Sequence, residues 1–368
     1  MKLPRIGLIG GGQLARMLIY RNAKLGFHFT VLDPDAAAGA APLADRFLQG
    51  SLYDREALTA LVTTCDVTTY DIEHCDTEVL AELEAQGHVI LPSPRLLQTV
   101  QDKVLQKQLY LSKGLPVAPF VNKTWHDLAP EDFPVVQKAR RGGYDGRGVA
   151  VLRSAADQPL TGDTYLEALV TYEKELGVMV ARSASGETVV YPPVEMLFDP
   201  HWHICTEIVA PAPVSPAVEA RARELAVAVV EALGGVGVFG VELFLTATGL
   251  VVNEVAPRPH NSGHYTMEAC QVCQFENHLR AVAGLPLGQP GFFTPAAMVN
   301  LLGQGSGTTV VAGLKEALAV PGFSLHLYGK TQCRPGRKMG HFTVTAPSPA
   351  LALATARRIN ETFQVTGA

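Results

Sequence analysis

Residues 236–256 read VGVFGVELFLTATGLVVNEVA, two apolar runs separated by the turn TATG. Few patterns restrict a chain more. The branched and aromatic residues of both runs favour extended backbone, and the glycine-containing turn between them closes a hairpin. Glu242 and Glu254 stand symmetrically about position 248, so the hairpin sets them nearly opposite one another. Their neighbours are mostly valine, leucine and phenylalanine. Like charges facing across a ladder repel, and burial sharpens the penalty unless a cation lies between them. Mg²⁺ resolves the conflict, because it takes an octahedron of oxygens and uses one or two carboxylates together with phosphate oxygens and water. Asn253 offers a further oxygen. The competing readings are a solvated pair at a sheet edge and a protonated acid–base dyad.

Directly beyond the second glutamate come Pro257, Arg258, His260, Asn261 and His264. So polar a loop at the end of a metal strand is expected to face the reacting groups. His260 and His264 make a weak metal pair, since an i, i+4 pair needs a helix and PRPHNSGH does not read as one. Cys270 and Cys273 fall in a segment read as one helix, YTMEACQVCQFENHLRAVAG, and are taken as ordinary buried thiols.

Two glycine loops invite phosphate. Residues 138–153, KARRGGYDGRGVAVLR, carry four glycines and five lysines or arginines between two strand-like runs. Walker-type and dinucleotide loops join a strand to a helix, whereas a glycine loop between antiparallel strands folds as a flap over a triphosphate. Alternation places Val136, Lys138 and Arg140 on one face, aiming both cations along the same ligand. The plainer alternative is a solvated hairpin. Near the N-terminus, Gly10–Ala15 matches G-x-G-x-x-A after a strand, with Asp33 at the end of the next strand. Three readings stay open there: a dinucleotide, another phosphate-bearing ligand, or a plain βα turn. The first two require backbone N–H groups at a helix N-terminus facing an anion.

The first hundred residues alternate apolar and amphipathic runs, the pattern of a parallel sheet with crossover helices. RIGLIG, FHFTVLD, CDVTTYDIE and HVILPS read as strands, and residues 93–114 as one helical segment capped by Ser93. After that the pattern becomes antiparallel. Domains are expected at 1–101, 102–170 and 171–368. At 368 residues, 47% hydrophobic and 18% charged, the chain is an ordinary globular protein with room for two or three domains. A formal net charge of -5 argues against a nucleic-acid binder. No apolar run reaches a membrane span, and six sparse cysteines fit reduced thiols in a cytoplasmic protein.

GGGQLARM, TTYDIEH, QDKVLQKQ, RRGGYDGRG, NEVAPRPHNSGH and RPGRKMGH occur in that order along nearly the whole chain. In this set the sequence resembles the N5-carboxyaminoimidazole ribonucleotide synthetase family of the ATP-grasp superfamily. The resemblance implies a mixed α/β fold, α+β in part: an N-terminal Rossmann-like parallel sheet, a small antiparallel lid and a larger C-terminal α+β domain. It implies an ATP-dependent carbon–nitrogen ligase of purine biosynthesis that joins bicarbonate to aminoimidazole ribonucleotide through carboxyphosphate, a homodimer with Mg²⁺ as cofactor. Lys103, Lys138, Gly143, Gly146, Arg147, Gly148, Glu167, Ala168, Leu169, Val170, Glu175 and Asn253 would hold ATP, with Glu167 at the hinge beside adenine. Glu242 and Glu254 would bind Mg²⁺. Gln13, Leu14, Glu73, Tyr144, Asp145, Arg147, Lys330 and Arg337 would bind the ribonucleotide. Arg258, His260, Asn261 and Tyr144 would surround the carboxyphosphate. Two positions depart from the pattern: Ala15 replaces a usual glycine, and Phe198 stands where the family carries a histidine, leaving His201 and His203 as candidates for that role. The rival readings are a related ligase using another acyl phosphate (a formate-dependent glycinamide ribonucleotide enzyme), a nicotinamide-dependent oxidoreductase, and an inactive nucleotide-binding regulator.

Overall fold

The computed structural model describes residues 3–121, 123–143, 148–199 and 204–368; Tyr144, Asp145, Gly146, Arg147, His201 and His203 lie outside them. The N-terminal unit runs β1 (Arg5–Ile9), α1 (Gln13–Asn22), β2 (His28–Asp33), β3 (Arg46–Gln49), α2 (Arg55–Thr64), β4 (Val67–Tyr70) and α3 (Thr77–Ala85). Its four strands are all parallel, in the order β3-β2-β1-β4. Each of α2 and α3 is started by an aspartate, Asp54 or Asp76, whose carboxylate accepts two backbone N–H bonds. The segment HVILPS, expected as a strand, contributes a single bridge between Ile90 and Thr68.

The helical segment expected over 93–114 divides into α4 (Pro94–Gln101) and α5 (Lys103–Ser112). Asp102 makes the break. Its backbone is extended, and its carboxylate accepts from Val104 N and Leu105 N, so a new helix starts where the pattern suggested continuation. The same carboxylate takes Arg140 at 2.8 Å and Arg141 at 3.0 Å. Arg140 is therefore held at the start of α5 by a buried acid rather than left for the expected ligand.

A second, antiparallel sheet follows, from β5 (Phe120–Val121), β6 (Val135–Ala139), β7 (Val149–Leu152) and β8 (Thr164–Ala168), ordered β5-β8-β6-β7. The glycine loop connects β6 to β7. Gly148 has φ of +78° and a Cβ there would lie 2.9 Å from the Ala139 Cβ, so only glycine fits this return.

The large sheet contains β9 (Lys174–Arg182), β10 (Thr188–Val190), β11 (Val194–Phe198) and β12 (Cys205–Ala210). After α6 (Pro216–Leu233) come β13 (Gly237–Thr246) and β14 (Gly249–Ala256), the expected hairpin. Next are α7 (Thr266–Ala269), α8 (Gln274–Val282), β15 (Ala296–Leu302), β16 (Gly307–Ala312), α9 (Leu314–Leu318), β17 (Phe323–Leu327), β18 (Gln332–Cys333), β19 (Lys338–Thr345), α10 (Pro349–Asn360) and β20 (Gln364–Gly367). The path β14-β13-β9-β11-β12-β15-β19-β17 is antiparallel throughout. The helix expected across Cys270 and Cys273 is interrupted: Cys270 is extended and Cys273 caps α8. All six cysteines are buried and unbridged.

Helix α8 ties the N-terminal sheet to the large one through His278. Its Nδ1 accepts from Val238 N at 3.1 Å, which leaves the proton on Nε2, 2.8 Å from Thr69 Oγ1. Burial lowers His278 to about 3, and it also holds His264 and His341 well below the usual histidine range. These rings stay neutral when folded but protonate near 6.5 when unfolded. The unfolded chain thus binds more protons below that value, and stability falls as pH drops from 6.5 toward 3. Urea unfolding should show a loss of about 2 kcal/mol per such ring between pH 7 and 5. His278→Gln should be less stable at pH 7 and show a shallower pH slope than the parent; an unchanged slope would contradict this assignment.

Candidate active site

The hairpin carries an irregularity that decides its chemistry. From the turn, Thr246 faces Gly249 and Leu243 faces Val252, a register that would set Glu242 against Asn253. A bulge between Glu242 and Leu243 absorbs one residue, and Glu242 pairs with Glu254 instead. The symmetry seen in the sequence holds because Asn253 is the extra residue. Its amide nitrogen lies 3.4 Å from both Glu242 Oε2 and Glu175 Oε1, and its oxygen lies 3.4 Å from Lys138 Nζ. Asn253 thus turns its nitrogen, rather than the expected oxygen, to the carboxylates.

Three glutamates crowd this spot. Glu175 comes from β9, opposite Phe244 of β13. Burial raises Glu175 to about 7. Burial, then the charges of Glu175 and Glu254, push Glu242 well above the carboxylate range. Glu254 behaves oppositely: burial works to raise it, but Lys103, 2.8 Å away, holds it below its ordinary value. Neither Glu175 nor Glu242 has a lysine or arginine paired with it among the described residues. Among the described residues no trio of His, Cys, Asp or Glu forms a ready-made metal cage.

A cavity of about 680 Å³ opens over these acids and reaches the N-terminal sheet, the small antiparallel sheet and the large sheet. The volume suits a nucleotide-sized ligand. Of the residues expected to hold ATP, Lys103, Lys138, Glu167, Ala168, Leu169, Val170, Glu175 and Asn253 line it. Tyr172 and Phe244 join them, their rings stacked 4.5 Å apart and 14° from parallel. Glu167 does not present a free carboxylate to the cavity. One oxygen takes Lys138 Nζ at 2.6 Å, the other Lys107 Nζ, and this pair outweighs burial to keep the acid ionised. Gly143 and Gly148 lie at the base of the glycine loop, outside the lining.

Gln13, Leu14 and Glu73 line the far end with Asp71 and Arg258. Here the glycine turn before α1 is already occupied. Gly11 N donates to Asp33 Oδ2 at 2.7 Å, Gly12 N to Asp71 Oδ2 at 2.5 Å and Ala15 N to Asp71 Oδ1 at 3.1 Å. The anions that these amides face are the protein's own carboxylates, which removes the reading of a dinucleotide pyrophosphate at this turn. Burial raises Asp71 to about 6, against the pull of Arg258 and these amides.

Arg258 pairs with Glu73 at 2.8 Å. His260 Nε2 lies 3.5 Å from Glu242 Oε1. The Asn261 amide exchanges two 2.8 Å bonds with the Asn300 amide, so it is held in place while it lines the cavity. The loop can lie this close because Gly240 and Gly177 offer no Cβ; one at Gly240 would sit 2.5 Å from the His260 Cβ, and one at Gly177 2.7 Å from the Ser262 Cβ. Phe198 lines the cavity, so the family's histidine position presents an apolar ring. Lys330 and Arg337 are not in the lining; Lys330 Nζ donates to Lys338 O at 2.7 Å, and Lys338 is the residue of that segment that reaches the cavity. Asp71, Lys107, Tyr172 and Lys338 are site or supporting residues that sequence reasoning did not name, while His264, named with the polar loop, does line the cavity. Lys107 alone had a readable signal: it follows Lys103 by four residues, one helical turn on the same face.

Comparison with known proteins agrees with this geometry. Residues 3–101 match the ribonucleotide synthetase preATP-grasp domain, 108–275 the ATP-grasp domain, and 296–355 the phosphoribosylaminoimidazole carboxylase C-terminal domain. The N5-carboxyaminoimidazole ribonucleotide synthase of Synechococcus elongatus is 43% identical over 93% of this chain and 89% of its own. The crystal structure of N5-carboxyaminoimidazole ribonucleotide synthetase from Thermotoga maritima superposes with a TM-score of 0.92 at 46% identity, covering 100% of both chains. The Aspergillus clavatus synthase, solved with ADP and 5-aminoimidazole ribonucleotide, gives 0.84 at 35% identity over 98% of each. With its hairpin acids, its lysine-lined cavity and these relatives, the chain belongs to the N5-carboxyaminoimidazole ribonucleotide synthetase family.

Proposed function

We propose that this protein uses ATP to join bicarbonate to the exocyclic amine of aminoimidazole ribonucleotide, giving N5-carboxyaminoimidazole ribonucleotide for purine biosynthesis. The observation that carries the reading is the crowding of Glu175, Glu242 and Glu254 in one wall of a cavity whose other walls hold Lys103, Lys138 and Arg258. Two facing carboxylates without enough cations fit a divalent ion better than any other partner, and Mg²⁺ takes such a pair while drawing its remaining oxygens from phosphates and water. Glu242 and Glu254 would hold it, and bound there it would neutralise charge on the transferred phosphoryl group.

A bicarbonate oxygen attacks the γ-phosphorus; the bond to the bridging oxygen breaks and ADP leaves, forming carboxyphosphate. The amine then attacks the carboxyl carbon, phosphate departs and the amine loses a proton. The chain supplies no covalent nucleophile in either step. Lys103 and Lys138 hold the nucleotide's phosphates, and the wall of Ala168, Leu169 and Val170 receives adenine. Arg258, braced by Glu73, stabilises charge on the bicarbonate and the carboxyphosphate. Gln13, Leu14, Glu73, Asp145, Lys330 and Arg337 belong to the ribonucleotide side, with Arg337 acting beside Lys338. The glycine loop, with Tyr144, Gly146 and Arg147, closes over the phosphates and excludes water from an intermediate that hydrolyses readily. A cytoplasmic setting and a homodimer are part of the same reading, the former supported by six unbridged cysteines.

ADP formation by the purified protein should require bicarbonate and aminoimidazole ribonucleotide together. Turnover with formate, or with glycinamide ribonucleotide as the amine, would favour the related acyl-phosphate ligase instead. Glu254→Gln should lower Mg²⁺-dependent turnover by at least about a hundredfold, since even the partners of a metal ligand commonly cost that much, with an unchanged circular dichroism spectrum; near-normal activity contradicts the metal assignment. Arg337→Ala should raise KM for the ribonucleotide roughly tenfold and leave KM for ATP alone. An effect confined to ATP would overturn its placement.

A further inference from the structure

Behind the nucleotide wall lies an ion triad with one more cation than phosphate contact demands. Lys107, on α5, does not reach the cavity; its side chain is only 4% exposed. Its Nζ contacts Glu167 Oε2 and lies 5.8 Å and 5.9 Å from the ring centroids of Phe120 and Tyr165. Tyr165 Oη donates to the same oxygen at 3.4 Å. The other oxygen, Oε1, holds Lys138 Nζ at 2.6 Å. Lys138 and Glu167 line the cavity, and Lys107 stands behind them.

A lone glutamate against a lone lysine forms a neutral pair, and a lysine so paired offers little net field to an anion. Two lysines on one carboxylate leave a net positive charge, and of the two cations Lys138 is the one that faces the cavity. We propose that Lys107 is a positioning residue that occupies half of Glu167, so that Lys138 keeps its cationic head for the nucleotide's phosphates. Burial makes the device effective, because charges in a poorly polarisable surrounding act on one another far more strongly than in water. Burial also makes it costly: it pulls Lys107 below the ordinary lysine range against the opposing pull of Glu167. The two aromatic rings offset part of that cost. A lysine kept only to fill space would gain nothing from an ionised head there.

The inference rests on Lys138 meeting phosphate, as set out above, but its test needs no turnover. Binding of ADP with Mg²⁺ and of adenosine is measured by calorimetry on the full chain. Lys107→Met should weaken ADP roughly tenfold and adenosine less than about twofold, with a shallower dependence of ADP binding on salt. Lys107→Arg should bind both like the parent. Combining Lys107→Met with Glu167→Gln removes one charge of each sign, leaves Lys138 unneutralised and should restore the ratio of ADP to adenosine affinity, whatever Glu167 itself contributes to adenine. In the single variant, parallel loss of ADP and adenosine or no loss at all would overturn the role, as would a double variant whose ratio stays at the single variant's. If the single variant does not fold, the arginine and double variants decide: selective loss of ADP over adenosine in the double variant refutes the proposal, and a ratio near the parent's supports it. ADP binding is read without the second substrate, so the outcome stands whichever amine the enzyme carboxylates.

Discussion

Electrostatic repulsion organises this protein. Glu175, Glu242 and Glu254 sit on adjoining strands of an apolar sheet, close enough that burial and mutual charge hold two of them above the ordinary carboxylate range. Hydrophobic burial fixes the strands, with Val241, Leu243, Val252 and Val255 at 0–1% exposure, so the acids cannot relieve the conflict by turning the sheet over. The relief has to arrive from outside the sheet. Lys103 brings it from α5 by pairing with Glu254. Lys138 of the small antiparallel sheet and Arg258 of the loop beyond β14 are instead paired with Glu167 and Glu73, and act on the three acids only through space. A site assembled from such separate parts is held together by the charge imbalance at its centre.

Asp102 links two of these suppliers. It starts the helix bearing Lys103 and Lys107, and it grips Arg140 and Arg141 at the root of the glycine loop. The orientation of α5 and the path of the chain into that loop are thus set by one buried carboxylate. Its two oxygens accept helix N–H groups and guanidinium groups together, which satisfies a charge that is otherwise fully shielded from water.

Much of this was readable in the residues. Apolar alternation placed the parallel sheet, and the symmetry of Glu242 and Glu254 placed the acids, because both depend on spacing alone. The bulge at Asn253 was not readable, since a hairpin of this length accommodates either register until the third strand, β9, supplies Glu175 and Gly177 beside it. The interruption of helix at Asp102 escaped for a related reason: an aspartate inside a periodic run looks like a solvated turn of helix until its distant arginine partners are known. Arg140 fitted the alternation in sequence, but it lies just past the end of β6 and is claimed by that same aspartate. Lys107 was visible as the residue one turn beyond Lys103, but its carboxylate partner lies 60 residues away on β8 of the small antiparallel sheet. Sequence periodicity describes which face a side chain occupies; it says little about which distant charge will claim it.

The glycine turn before α1 has a consequence for how this fold coexists with other nucleotide chemistry. In composition and spacing it imitates a nicotinamide-binding fingerprint, yet Asp33 and Asp71 have already taken the amides that such a cofactor would need. The imitation is sealed from within. In a cell rich in dinucleotides, an open turn of this kind would invite unproductive occupancy next to the working site. Two internal carboxylates spare the enzyme that crosstalk, and retrofitting the turn for redox use would first require removing both.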